Sequence, residues 1–349
     1  MGQAFNMTQY GTQKNGTQTH KTQKNGTQKN GTQTHKTQKI KGLALYPRQP
    51  PRSTILATIP VILAILLGSC RADSLGGSPD GSPDQTQTQA QTDAAMASQH
   101  QGDQPQGSPA LDPAPRLPVT GQMVTYTRLG DQDIQGYFAQ PQDQDIVGGL
   151  VVIHEWWGLN DNIKRMTDRL AGEGYGVLAV DLYGGQQADT PEVAKTLVAA
   201  VTADPDRARQ NLQGAYDYVA QQPGTDRIGS LGWCFGGGWS LQMALGLPQD
   251  LDGAVIYYGR LETDKAILES LQVPILGLFG GLDGSPDPDT VRRFEQTLQE
   301  LDKPVEVHVY ADADHAFANP SGTRYNAEAA EDAWQKTLVF LQQTLQSAN

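Results

Sequence analysis

Over residues 149–346, short apolar runs alternate with amphipathic stretches, and nothing else in the chain constrains its fold as tightly. The runs fall at residues 149–154, 176–180, 227–232, 253–257, 273–279 and 305–310. Helical periodicity fills residues 162–172, 191–201, 206–221, 236–247, 290–301 and 327–346. A strand that is apolar on both of its sides must be covered on both faces. The alternation therefore predicts a mostly parallel central sheet with helices on either side. Residues 123–128 and 134–138, joined by Leu129-Gly130-Asp131, read as an antiparallel pair at one edge. In sheets of this kind the chemistry gathers at the carboxyl ends of the strands.

The first third of the chain has a different character. Residues 1–54 are low in apolar content, and residues 11–39 repeat the unit GTQTHKTQKNGTQKN, which cannot bury enough surface to offset chain entropy. The reading is disorder, either as a basic arm or as sequence upstream of the true translation start. Residues 55–69 supply a short apolar core preceded by Lys39, Lys41, Arg48 and Arg52 and closed by Leu67-Gly68-Ser69-Cys70. That is the pattern of a signal peptide and is too short to span a bilayer. Its ending resembles a bacterial lipobox, which makes Cys70 the expected lipidation site. Residues 70–117 are rich in Gln, Asp, Ser, Pro and Gly and read as a flexible tether. One folded domain remains, residues 118–349.

Charge narrows the function. Nine of the 26 Lys and Arg precede Cys70 and none of the 38 Asp and Glu do, so Cys70–Asn349 carries a formal −21. Such a surface lacks the basic footprint of a nucleic-acid binder. With 2 cysteines in all, a disulfide framework and a thiolate zinc site are excluded. No cofactor or metal is expected.

The sharpest motif is Gly232-Trp233-Cys234-Phe235-Gly236-Gly237, placed between an expected strand and an expected helix. It is a nucleophile elbow with cysteine where serine is usual. Small residues on either side let strand and helix approach, and a helix N-terminus favours negative charge on the sulfur. A cysteine nucleophile needs a base, and the domain holds His154, His308 and His315. His154 lies in a strand and lacks a second histidine at zinc-protease spacing. His308 falls on the polar side of an alternating strand. His315 follows that strand's end and is the favoured base. The orienting acid is then Asp283, the first carboxylate beyond residues 273–279, whereas Asp287 and Asp289 suit helix capping. The order Cys234, Asp283, His315 is that of the α/β hydrolases.

These residues resemble the dienelactone hydrolases, the carboxymethylenebutenolidase-like α/β hydrolases, over residues 120–345. The likeness runs through His154-Glu155-Trp156-Trp157-Gly158-Leu159-Asn160, Ala179-Val180-Asp181-Leu182-Tyr183, the elbow, Gly281-Leu282-Asp283 and Asp314-His315-Ala316-Phe317. It implies an α/β-hydrolase fold behind a disordered N-terminal third. It also implies attack by Cys234 on an ester or lactone carbonyl, with His315 as base and then acid and Asp283 holding it. Glu155 would take the proton of the resting thiol, and the backbone N–H groups of Phe235 and Trp156 would form the oxyanion hole. Trp157, Tyr183 and Asn319 would line the substrate pocket. The family's two carboxylate-gripping arginines fall at Gly185 and Asn319 here, which points to neutral substrates. The whole is expected to be an exported, lipid-anchored enzyme of a bacterial envelope, with a monomeric catalytic domain acting on a small ester or lactone. The alternatives are a thioesterase or acyl transferase on the same site, or a silent tethered binding module.

Overall fold

The computed structural model describes residues 113–346. The basic tract, the leader with Cys70 and most of the tether lie outside the described residues.

The domain is built on an eight-stranded sheet in the order β1-β2-β4-β3-β5-β6-β7-β8. Strands β1 (Val119–Leu129) and β2 (Gln132–Pro141) form the antiparallel edge pair. They turn at Gly130, whose φ of 61° favours a residue without a Cβ. Strand β2 also runs antiparallel to β4 (Gly176–Ala179). From β4 through β3 (Gly149–Ile153), β5 (Ile228–Trp233), β6 (Gly253–Tyr257), β7 (Ile275–Gly280) and β8 (Val305–Tyr310) every pairing is parallel. Strands β1 and β2 are longer than their apolar segments, and in β1, which is the edge, polar residues are tolerated at the solvent-facing rim.

The apolar strands are buried on both sides, as their composition requires. Val151 and Ile153 belong to the core on one face, and Leu150 and Val152 to the core on the other. The first face is covered by α2 (Pro191–Ala203), α3 (Pro205–Ala220), α4 (Phe235–Gly246), α5 (Lys265–Leu268) and α6 (Pro288–Glu300). The second face is covered by α1 (Asp161–Ala171) and α7 (Ala327–Leu345). Each of α1, α2, α3, α6 and α7 starts on a polar N-cap, namely Asn160, Thr190, Asp204, Asp287 and Asn326. The one-turn α5 carries no periodic signal and is fixed instead by burial of Leu268 and the nearby Leu271.

The chain leaves β3 toward β4, then returns past β3 to lay down β5 on the other side. The carboxyl ends of β3 and β5 therefore flank a switch in winding direction, where an open α/β sheet leaves a crevice. No helix among the described residues is long and apolar enough to cross a membrane.

Candidate active site

Cys234 stands between β5 and α4 with φ 54° and ψ −118°, a left-handed conformation that costs a residue with a side chain of order 1–3 kcal/mol. The glycines around it are required by contact. A Cβ on Gly232 would strike the carbonyl of Gly236, and one on Gly236 would strike the carbonyl of Ile153. One on Gly237 would come within 2.7 Å of the Tyr257 carbonyl. The turn is further pinned by the Cys234 N–H donating to Tyr257 O at 3.0 Å. The strain is thus sustained by backbone packing on three sides, and it puts the sulfur beside the first turn of α4.

His315 follows β8 in a loop that turns at Ala316, φ 59°. Its Nδ1 lies 2.8 Å from Oδ2 of Asp283, and both side chains are essentially buried. Asp283 is anchored in turn by the Ser285 N–H, which donates to its Oδ1 at 2.7 Å. With Nδ1 engaged by Asp283, Nε2 is the nitrogen left to face Cys234. Burial alone would lower the proton affinity of this imidazole. The negative charge of Cys234, followed by the hydrogen bond and charge of Asp283, outweighs it and pushes His315 up to about 10. Asp287 caps α6 through the Thr290 N–H at 2.7 Å, and Asp314 accepts from the His315 backbone N–H at 2.6 Å. Neither approaches the ring in the way Asp283 does.

The other two histidines are elsewhere. His308 is half-buried on the outer strand, its Nε2 2.6 Å from Glu306 Oε1. His154 is wholly buried past the end of β3. Its Nε2 accepts from the Leu182 N–H at 3.2 Å, which assigns the ring proton to Nδ1, a donor to Glu155 O at 2.6 Å. Burial holds this imidazole below its ordinary range.

Glu155 is buried, and its Oε2 accepts from Nδ2 of Asn319 at 2.7 Å. Asn319 Oδ1 accepts from the N–H and hydroxyl of Ser321 at 2.9 and 2.6 Å. The amide expected to line a substrate pocket therefore lies against Glu155. Trp156 and Trp157 are each 1% exposed and meet edge-on with ring centres 4.9 Å apart. Tyr183 donates from its hydroxyl to Trp156 O at 3.1 Å, and its ring packs on His154 and Phe235 at 4.6 and 5.7 Å. Gly185, φ 92°, has no atom within 4 Å of where a Cβ would stand. Capping of α1 falls to Asn160, which accepts from the Ile163 N–H at 3.1 Å, so Glu155 is not engaged there.

One residue escaped the sequence reading. Tyr258, directly after β6, has φ 36° and a ring edge-on to His315 with centres 5.2 Å apart. Burial, then the charges of Glu155 and Cys234, drives its phenol well above the ordinary value. The rule that chemistry gathers at strand carboxyl ends was the signal that could have found it. Among the described residues, no group of three or more His, Cys, Asp or Glu could hold a metal ion.

Comparison with known proteins bears on the family and the fold. Residues 134–345 match the family model for the dienelactone hydrolase family. A candidate carboxymethylenebutenolidase of Saccharolobus solfataricus is 34% identical over 248 residues, covering 60% of this chain and 93% of that protein. Protein usf of Aquifex pyrophilus is 32% identical over 232 residues, covering 64% of this chain and 99% of that one. The crystal structure of a candidate dienelactone hydrolase from Klebsiella pneumoniae superposes with a TM-score of 0.59 at 27% identity, over 65% of this chain and 99% of that chain. A metagenomic dienelactone hydrolase-like promiscuous phosphotriesterase gives a TM-score of 0.60 at 25% identity, over 65% and 98% of the two chains. The eight-stranded sheet, the elbow between β5 and α4 and the match over residues 134–345 establish that the chain belongs to the dienelactone hydrolase family of α/β hydrolases and is an ester or lactone hydrolase.

Proposed function

We propose that this domain cleaves neutral carboxylic esters or lactones through an acyl-cysteine intermediate on Cys234. The observation that carries the reading is the strained elbow cysteine in the same buried site as a His315–Asp283 pair at 2.8 Å. Glu155 takes the proton from the resting thiol and passes it on to His315, whose affinity rises once the sulfur is charged. The thiolate then attacks the carbonyl carbon, forming a C–S bond while the π electrons move onto oxygen. The N–H groups of Phe235 and Trp156 would hold that oxyanion. Collapse expels the alkoxide, which takes the proton from His315. Water then attacks the thioester, its proton passes to His315, and the thiolate leaves.

The preference for neutral substrates rests on Gly185 and Asn319. Desolvating a carboxylate costs several kcal/mol unless paired donors replace its water. A bidentate arginine is the efficient donor, whereas glycine offers no side chain and the Asn319 amide is engaged by Glu155. The expectation is at least about a tenfold advantage in kcat/KM, ~1.4 kcal/mol, for the methyl ester of dienelactone over the free acid. Equal turnover of the acid would assign the clamp to another cation, Arg324 first.

The same proposal includes export and a lipid anchor at Cys70, supported by the basic, apolar and Leu-Gly-Ser-Cys sequence of the leader. Labelled palmitate should enter the full chain in a bacterial host, and Cys70→Ala should abolish both label and membrane fractionation. An unlabelled, wholly soluble wild type would remove this part of the reading.

A further inference from the structure

The hydrogen bonds around Glu155 fix the orientation of one neutral side chain without ambiguity. A backbone N–H can only donate, so the Asn319 atom that receives the Ser321 N–H at 2.9 Å is the carbonyl oxygen. The opposite end of the amide is then NH2, and it meets Oε2 of Glu155, an acceptor, at 2.7 Å. The Ser321 hydroxyl, at 2.6 Å, holds the same oxygen a second time. Asn319 and Glu155 are both buried and lie 164 residues apart in the chain, so this bond ties the loop after β8 to the residues following β3.

We infer that Asn319, oriented by Ser321, is a positioning residue that holds the Glu155 carboxylate in place to take the thiol proton of Cys234. This rests on the thiol mechanism proposed above. The amide leaves Glu155 able to carry its charge, because a neutral donor stabilises a carboxylate without protonating it. The titratable groups of the surrounding strand ends are His154 after β3, Asp181 after β4, Cys234 after β5, Tyr258 after β6, Asp283 after β7 and His315 after β8. After burial, the charges of both Glu155 and Cys234 raise the Tyr258 phenol, so both groups lie within electrostatic reach of that ring.

The test is the pH dependence of Cys234 alkylation by iodoacetamide in the full chain, followed together with kcat/KM on a neutral aryl ester. Asn319→Asp sets a second carboxylate against Glu155. Two carboxylates at hydrogen-bond distance share one proton, which removes Glu155 as a base until the pH rises. The acid limb of both profiles should move up by at least about one unit, a tenfold loss of reactive thiolate at fixed pH. Ser321→Ala, which keeps the backbone N–H bond, should move it less and in the same direction, and it decides the matter should Asn319→Asp fail to fold. In a Glu155→Gln background the Asn319→Asp shift should vanish. A lowered thermal midpoint with unmoved profiles, or a shift that persists in Glu155→Gln, overturns the assignment. Full esterase activity in Cys234→Ala would instead overturn the thiol mechanism itself, so the two failures are separable.

Discussion

His154 and His315 are both buried imidazoles just past the carboxyl ends of strands in one sheet, yet their proton affinities are driven in opposite directions. Around His154 the hydrogen-bond partners are backbone: the ring accepts one N–H and donates to one carbonyl, and burial prevails over the opposing charge of Asp181. Around His315 the neighbours are a carboxylate and a sulfur, and their charges overcome a similar burial. Depth in the protein therefore does not distinguish a base from a strut. What distinguishes them is whether the ring's direct hydrogen-bond partners are ionisable.

The contrast is sharpest in turnover. Cys234→Ala and His315→Ala should each lower kcat on an activated neutral ester by about 10³-fold or more, and the double variant by little beyond either, since such groups act as a unit. Additive losses would break the pairing. Asp283→Asn keeps the shape but removes the charge that orients the ring, and about 10²–10⁴-fold should be lost with the fold intact. Comparable activity in this variant would make the 2.8 Å contact structural only.

Stability should separate the two rings by pH. With the sulfur charged, folded His315 holds its proton up to about 10, whereas a free imidazole releases it near ~6.5. Its contribution is whole below ~6.5 and is lost as pH rises through about 10. The free thiol of the unfolded chain gives up its proton only near ~8.5. Between about 6.5 and 8.5 the folded pair, sharing one proton, and the unfolded chain hold the same number of protons, so the loss on the alkaline side appears between about 8.5 and 10. The thermal midpoint should fall over that window, and Cys234→Ala should shrink the fall. The smallest expected effect is at the strut. His154→Leu strands the Leu182 N–H and the Glu155 carbonyl, costing about 2 kcal/mol or more of stability. The acid and alkaline limbs of its activity profile should stay where they are, and a moved alkaline limb would return His154 to candidacy as the base.

The sequence made the parallel sheet legible because strands buried on both faces are apolar at every position, as Leu150–Ile153 are, and these short runs alternate with amphipathic helices. The elbow was legible because tight backbone approach excludes side chains, so Gly232, Gly236 and Gly237 record it directly. Asp283 and His315 could be chosen by distance from strand ends. The link between Asn319 and Glu155 could not, because a bond across 164 residues leaves no spacing to read. Tyr258 was hidden for a related reason: an aromatic at the end of a buried strand has the composition of ordinary core, and only its positive φ and its neighbours set it apart. Polar β1 residues likewise concealed the full length of the edge, since rim strands need no apolar pattern.

The three left-handed residues at this site, Cys234, Tyr258 and Ala316, have a consequence for anyone selecting variants of the protein. Glycine adopts such angles without steric cost, so a search for thermal tolerance alone should drift toward glycine at Ala316, whereas at Tyr258 the buried ring holds the position against it. The gain at Ala316 would slacken the backbone that aims His315. Robustness and catalytic power are therefore set in opposition at that position, and a screen rewarding only the first would erode the second.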